Sequence, residues 1–402
     1  MIGAVEDLRH VEEAEVRKAG RRVGRLARTR EGSEFVYDSV YEGPPVATTL
    51  PVGAPPARAS AGAVAPYFAG LLPEGRRLAA ARAAIKTSAD DDFSLLLATA
   101  HDAIGDVQIL AVGWEPPPSP VPESLGSVRF STLMARIVGP EGADRVALPG
   151  VQDKVSSGMI SLPVHLAHGP FILKLNPRGY PHLVENEHFF LDAARASGVP
   201  AAIAELVYDR EGEPGLLVRR FDRVQQEGVW RPLAQEDGCQ VLGRYPADKY
   251  RVSSEEVFAA HARVAGAPLV CARDLVRQLA FAYLTCNGDA HAKNFSVRQA
   301  PDGEWEATPA YDVPTSHLYG DHTMALSVNG KTREDIDRSD LLALGSMLGL
   351  PSRATARVLD ELADAAPLWL ARLDELPFDA RKVHKLRRAV TFRRDRIGSS
   401  VS

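Results

Sequence analysis

The chain is 402 residues long, too long for one ordinary domain, so two or three lobes with ample core are expected. A hydrophobic share of 45% and a charged share of 25% are those of a soluble globular protein, and a formal net charge of −5 excludes nucleic-acid binding over the whole surface while leaving room for a local basic patch. Cys239, Cys271 and Cys286 are widely spaced and form no metal-ligand pattern, and there is neither an apolar leader nor a run of about eighteen apolar residues; the expectation is a cytoplasmic protein with reduced, core-lining thiols.

Residues 1–113 are expected to form a first unit. Val23 to Leu26 and Glu34 to Tyr37 read as strands, and Pro44-Pro45 through Pro55-Pro56 reads as loop. The stretch from Pro66 to Gly75 then leads into an Arg- and Ala-rich helix. A second helix follows Ser88, which with Asp90 to Asp92 offers a cap and a favourable acidic first turn. Nothing here points to chemistry, so the unit reads as a scaffold or a partner-binding surface. Residues 114–123 hold Pro116, Pro117, Pro118, Pro120 and Pro122, a semi-rigid spacer that marks a boundary.

A second unit, residues 124–222, contains Leu148 to Val155, a glycine-bearing turn running into a strand. Pro149, Gly150, Val151, Gln152, Asp153 and Lys154 can cover phosphates with backbone amides and one ammonium, although a hairpin turn is the simpler reading of a single glycine. In Phe171 to Leu175 the alternation puts Phe171, Leu173 and Leu175 on one face and Ile172 and Lys174 on the other. So apolar a strand places a lysine badly for solvent unless the strand is an edge. The alternative is a lysine that holds nucleotide phosphates and pairs with a helix glutamate; the helix from Val184 to Ala196 offers Glu187 first and Glu185 second. Leu216 to Asp222, with Arg219, Arg220 and Phe221, is a strand ending in a polar turn, where a two-lobed kinase has its hinge.

Residues 223–402 read as a mostly helical lobe. Gln235 to Gln240 and Lys249-Tyr250 are unusual in a core region and are assigned only to the neighbourhood of the cleft. Leu275, Val276, Leu279, Ala280, Tyr283 and Leu284 recur at helical spacing. That helix delivers Asn287-Gly288-Asp289-Ala290-His291-Ala292-Lys293-Asn294. Strands from Phe295 to Arg298 and Trp305 to Thr308 flank a turn at Pro301-Asp302-Gly303, and pairing them brings Asn294 nearly opposite Asp312 of Tyr311-Asp312-Val313. Ser339 to Leu348 and Ala354 to Leu373 look helical, as does Arg381 to Arg396, a basic run that reads as a solvated face or as the place for a nucleic-acid contact.

An Asp, an Asn five positions on and a second Asp beyond a hairpin is the pattern by which kinases hold a proton-accepting carboxylate and magnesium ligands. Asp289 suits the first task; Asn294 and Asp312 suit the second, being hard oxygen donors that leave room for phosphate ligands. A polar loop with Asp289 as a cap and Asn294 as a turn residue explains each alone, but not the whole constellation with Lys174.

Several stretches together resemble the HipA-type serine/threonine kinases, the toxin halves of bacterial toxin–antitoxin pairs: Pro66 to Gly75, Gly150 to Lys154, Ile172-Leu173-Lys174, Arg220-Phe221-Asp222-Arg223, Gln235-Glu236-Asp237 with Cys239-Gln240, Asp289 to Ser296, and Tyr311-Asp312. They occur in the family's order. The resemblance implies an α+β, two-lobed protein-kinase-like fold with an N-terminal α/β subdomain facing a HipB-like helix-turn-helix antitoxin. It implies ATP and Mg2+, with Asp289 as proton acceptor, Lys174 on the phosphates, Asn294 and Asp312 on metal, Phe221 at the hinge, and His291 and Lys293 lining the phosphates. It further implies a protein substrate, characteristically an aminoacyl-tRNA synthetase, a link to growth arrest and persistence, and DNA contact through the antitoxin complex as corepressor. Two departures stand out. Ala147 and Pro149 occupy places where the family carries an autophosphorylated serine, which puts that self-inactivation in doubt, and Arg219 stands where the hinge usually has an acid. A small-molecule kinase of the aminoglycoside or choline type shares a similar loop but lacks the N-terminal unit, and a non-catalytic regulator that binds antitoxin and DNA is the reading from another class.

Overall fold

The computed structural model describes residues 5–60, 62–88, 90–114, 124–133, 159–177 and 179–398, the side chain of Arg76 excepted. The glycine turn from Pro149 to Lys154 and residues 115–123 of the spacer lie outside them. The described part mixes sheets and helices, as an α+β kinase-like fold requires.

The N-terminal strands β1 (Glu13–Lys18), β2 (Arg21–Thr29), β3 (Gly32–Tyr37), β4 (Ala57–Ser60) and β5 (Val107–Ala111) form an antiparallel sheet in the order β4-β3-β2-β1-β5. The strict alternation along β1 turns Ala14, Val16 and Lys18 inward. Lys18 is tolerated there because Asp106 meets its ammonium at 2.9 Å. Helices α1 (Pro66–Gly70), α2 (Gly75–Ile85) and α3 (Asp92–Thr99) follow, and Phe68 and Phe93 bury against Phe35 and Ile109 of the sheet. The cap of α3 is Asp91, not the expected Ser88: its carboxylate accepts the Ser94 amide at 3.2 Å and the Thr87 hydroxyl at 2.6 Å. Three acids stand in succession here, and Asp91 is the one at the correct distance to cap the first turn.

The second sheet, β6 (Ile160–Leu166), β7 (Gly169–Leu175), β8 (Ala204–Tyr208) and β9 (Pro214–Arg219), runs in the order β6-β7-β9-β8 and is antiparallel throughout. Strand β7 is therefore interior, and the edge explanation for Lys174 falls away. Phe171, Leu173 and Leu175 share an apolar face with Leu162, Val164 and Ala80 of α2. Ile172 pairs with Val218 and Lys174 with Leu216, on the opposite face, which helix α4 (Leu183–Ala196) covers. The N-terminal unit thus supplies a helix to the outside of this sheet.

The helical lobe is built from α5 (Gly238–Val241), α6 (Ser254–Val264), α7 (Pro268–Leu284), α8 (Arg338–Met347), α9 (Ser352–Leu370) and α10 (Ala380–Ile397). All six apolar positions read along α7 are buried, with Phe281 and Trp369 filling the space beside them. The three cysteines are free and buried. The basic run on α10 splits in two. Arg393 is buried and donates to Tyr283 O at 2.7 Å and His322 O at 3.1 Å, while Arg394 and Arg396 donate to Ala363 O and Ile336 O at 3.1 and 3.0 Å. Arg381, Lys382, Lys385 and Arg388 remain exposed. Half of the run therefore satisfies backbone carbonyls inside the lobe. Among the described residues no helix is long and apolar enough to cross a membrane.

Candidate active site

Helix α7 ends at Leu284, and Cys286 turns the chain through the left-handed region. Asn287 then organises the loop by accepting the Asp289 amide at 3.1 Å and donating to Asp312 O at 3.3 Å. Gly288 is dictated by space, since a Cβ there would meet Thr323 O at 2.5 Å and Ser316 Oγ at 2.7 Å. Asp289 is buried, and its Oδ1 accepts the Tyr250 hydroxyl at 2.8 Å. Asn294 accepts the His291 amide at 3.0 Å and donates to Asp312 Oδ2 at 2.9 Å. The hairpin responsible is formed by the strands Ser296–Gln299 and Trp305–Ala307, whose register pairs Val297 with Ala307.

Asp312 lies at φ +55°, a region costing roughly 1 kcal/mol for most L-residues but tolerated best by Asp and Asn. The turn points its carboxylate back toward β7. Lys174 Nζ sits 3.1 Å from Asp312 Oδ1 and 2.7 and 2.8 Å from the two oxygens of Glu187, and Glu187 Oε1 also accepts the Asp312 amide at 3.1 Å. Glu187 is thus the partner of Lys174; Glu185 instead bonds Asn176 and His182, each at 3.1 Å. Burial disfavours the Lys174 ammonium, yet Asp312 and Glu187 outweigh it and hold its pKa above the ordinary lysine value. Burial likewise opposes the Asp312 carboxylate, and Lys174 with His291 and Asn294 keeps its pKa below the usual range. Both groups are therefore charged at neutral pH.

Lys174, Glu187, Asn294 and Asp312 line a cavity of about 320 Å³, together with Ile172, Val218, Arg219, Phe221, His291, Lys293 and Tyr311, while Asp289 is not among its lining residues. The Phe221 and Tyr311 rings lie 5.6 Å apart at 44°, and Tyr311 is fixed by donating to Lys293 O and accepting from Ser296 Oγ, both at 2.6 Å. Such a pair of rings gives an aromatic base a flat apolar wall. Burial, assisted by the Lys249 charge, pushes His291 down to about 3, so its ring is neutral; Nδ1 is buried and meets no hydrogen-bond partner among the described residues. Arg220, expected at the hinge, is buried and lines the same cavity: it donates to Asp222 at 2.7 and 3.0 Å, to Asp102 at 2.7 Å and to Ala103 O at 2.7 Å. It ties the end of β9 to the N-terminal unit.

That unit also enters the cavity, against the expectation of a chemically silent scaffold. Glu74, at the start of α2, bridges Lys249 at 2.5 Å and Lys293 at 2.8 Å. Burial works against its carboxylate, but Lys293 and Lys249 hold its pKa far below the usual range. Asp102, Ala103 and Ile104 of the same unit also line the cavity. Sequence reasoning missed both because each acid lies far along the chain from its partners. The available signal was an acid inside the apolar Leu71-Leu72-Pro73-Glu74 run.

The unassigned Gln235 to Gln240 stretch is a seam. The strand Gln235–Asp237 pairs with Ser296–Gln299, Asp237 caps α5 by accepting the Gln240 amide at 3.0 Å, and Gln240 donates to Tyr67 O at 3.1 Å. Glu236 accepts the amide and hydroxyl of Thr48 at 2.7 and 2.8 Å. Burial pushes Glu236 up to about 7 in spite of those two donors.

Comparison with known proteins places the chain. Residues 146–370 match the HipA-like C-terminal domain and residues 14–110 the HipA N-terminal domain. Y4mE of Sinorhizobium fredii is 30% identical over 95% of this chain and 97% of its own length. The serine/threonine-protein kinase toxin HipA of Shewanella oneidensis is 26% identical over 84% of this chain and 83% of its own. A chain of the Shewanella oneidensis HipA, HipB and operator DNA complex superposes with a TM-score of 0.78 at 22% identity, over 95% of this chain and 97% of that one, which shows the fold. With both family domains matched in order along one kinase-like fold, the chain is a member of the HipA family.

Proposed function

We propose that the chain is an ATP- and magnesium-dependent serine/threonine protein kinase, the toxin of a HipA/HipB-like toxin–antitoxin pair. The observation that carries this reading is Lys174 held between Glu187 and Asp312, with Asn294 on the other oxygen of Asp312. A cation beside two carboxylates and a carboxamide is what the phosphate end of a nucleotide and its metal need.

In this reading Asp289 takes the proton of the acceptor hydroxyl, and burial of its loop excludes the water that would compete. Lys174 orients the nucleotide phosphates, and neutral His291 donates from Nδ1 to a phosphate oxygen without adding charge. Phe221 and Tyr311 together give the base one apolar wall. Asp312 and Asn294 fit Mg2+, which accepts hard oxygen ligands and takes the rest from phosphates and water. Magnesium supplies charge neutralisation at the transferred group. The Pro149 to Lys154 turn is assigned to cover the phosphates, as the family motif has it, and Arg219 borders the base end. By family likeness the substrate is a serine or threonine of a protein, with an aminoacyl-tRNA synthetase the leading class. The same likeness assigns a HipB-like antitoxin as partner, corepression on operator DNA through that complex, a cytoplasmic site of action and a link to persistence. Any direct help from α10 would have to come from Arg381, Lys382, Lys385 and Arg388.

The test is phosphate transfer from γ-labelled ATP to protein by the purified chain. Asp289→Asn should lower the rate by about 10³-fold while leaving ATP binding in place. Undiminished transfer by that variant contradicts the reading. Transfer to small alcohols but to no protein would favour the small-molecule alternative, and ATP binding without any transfer the regulatory one.

A further inference from the structure

Lys249 and Tyr250 carry an inference that rests on the kinase reading. The Lys249 carbonyl accepts the Ala292 amide at 3.1 Å, which straps the pair to the loop holding Asp289. The Lys249 ammonium meets Glu74 Oε2 at 2.5 Å and stands 5.2 Å from the centre of the Tyr250 ring. The Tyr250 hydroxyl donates to Asp289 Oδ1 at 2.8 Å, and its ring meets His291 edge-on at 5.1 Å. An unbroken run of contacts therefore leads from Glu74, in the N-terminal unit, through Lys249 and Tyr250 to the proton-accepting carboxylate.

We propose that Tyr250 is a positioning residue that aims the Asp289 carboxylate, and that Glu74 sets Tyr250 through Lys249, so that the N-terminal unit holds the catalytic base in line. A short carboxylate on a loop turns about its own bond unless one oxygen is fixed, and misdirection by a fraction of an ångström is expensive in phosphoryl transfer. A phenol is suited to the task, since it donates one hydrogen bond on a stiff ring wedged between an ammonium and an imidazole. Neutral His291, the Lys249 and Lys293 ammoniums, and the Glu74 and Asp312 carboxylates surround the pair. Glu74 takes up both lysine charges, Lys249 beside the Tyr250 ring and Lys293 beyond it. The hydrogen bond from Tyr250 favours ionised Asp289, so its loss moves the titration of the base to higher pH.

The experiment compares full-length wild type, Tyr250→Phe, Glu74→Gln and the double variant in phosphate transfer across pH. Tyr250→Phe should lower kcat roughly tenfold or more, keep the KM for ATP within about twofold, and shift the acid limb of kcat upward. Glu74→Gln should lower kcat by a smaller factor with the KM for ATP again within about twofold, and the double variant should fall within about twofold of Tyr250→Phe alone, as members of one relay do. An acid limb that stays in place in Tyr250→Phe, or losses that multiply in the double variant, overturns the proposal. If Tyr250→Phe does not fold, Glu74→Gln alone must still lower kcat at an unchanged KM for ATP, and its failure to do so also overturns it. A wild type that transfers no phosphate instead removes the kinase reading, and this inference with it.

Discussion

The two walls of the cleft differ in how they are held. On the nucleotide wall, Lys174 stands near the end of β7, Glu187 in the second turn of α4, and Asn294 and Asp312 on either side of the hairpin, and each is fixed by a partner in the same small cluster. On the facing wall, Glu74 and Asp102 are brought in by the N-terminal unit and are fixed by charges on the kinase body. The first wall is self-contained; the second exists only while two units stay docked. The N-terminal unit is therefore part of the site's architecture, which gives it a physical route to influence the chemistry.

Breaking the first wall should have the largest effect. Lys174→Met leaves Glu187 and Asp312 buried without their shared cation, and should lower transfer by about 10²-fold or more and stability by about 3 kcal/mol, read from initial rates and denaturant midpoints. A variant as stable and as active as wild type would mean the cluster is ornamental. The second wall should yield less. Asp102→Asn removes the charged acceptor shared by Arg220 and Arg223, but Asp222 still holds both. The expected loss is about 2 kcal/mol, and a null result would show that the seam does not depend on this acid.

The smallest effect sharpens the same comparison through pH. Glu236 docks Thr48 across the seam, and burial raises its pKa to about 7 from an ordinary 4.5. A carboxyl with a raised folded-state pKa contributes stability that is complete below about 4.5 and is lost as pH rises toward 7. Glu236→Gln should therefore gain on wild type by on the order of 1 kcal/mol between those pH values, followed by thermal melting. Melting curves that keep the same separation at pH 4 and pH 8 would show that Glu236 titrates normally and that the two Thr48 donors dominate.

The same contrast explains what could be read in advance. The alternation around Lys174, the helical period before Asp289 and the turn at Pro301-Asp302-Gly303 are local patterns, and they were enough to bring Asn294 to Asp312. Local patterning also separated the faces of β7, but not its place in the sheet, since strand order depends on pairing between distant segments. The choice between Glu185 and Glu187 turned on helix phase: Glu187 lies a half-turn further round, facing the sheet. Glu74, Lys249 and Tyr250 remained without a role because their partners are distant in the chain, and ion pairs of that range leave no periodicity. Arg220 reads in the sequence only as a hinge residue, and its ties to Asp102 and Ala103 reach across the chain and leave no local pattern. The family motif names Pro149 to Lys154, which fall outside the described residues.

The central claim is that Lys174, Asn294 and Asp312 form the metal and phosphate end of one nucleotide site, and magnesium dependence tests it most directly. In transfer assays with γ-labelled ATP, wild type should be inactive in chelator and saturate as Mg2+ is added, while Asp312→Asn should need at least about tenfold more Mg2+ and reach a lower plateau. Full activity in chelator, or an unchanged magnesium curve for Asp312→Asn, would contradict the account.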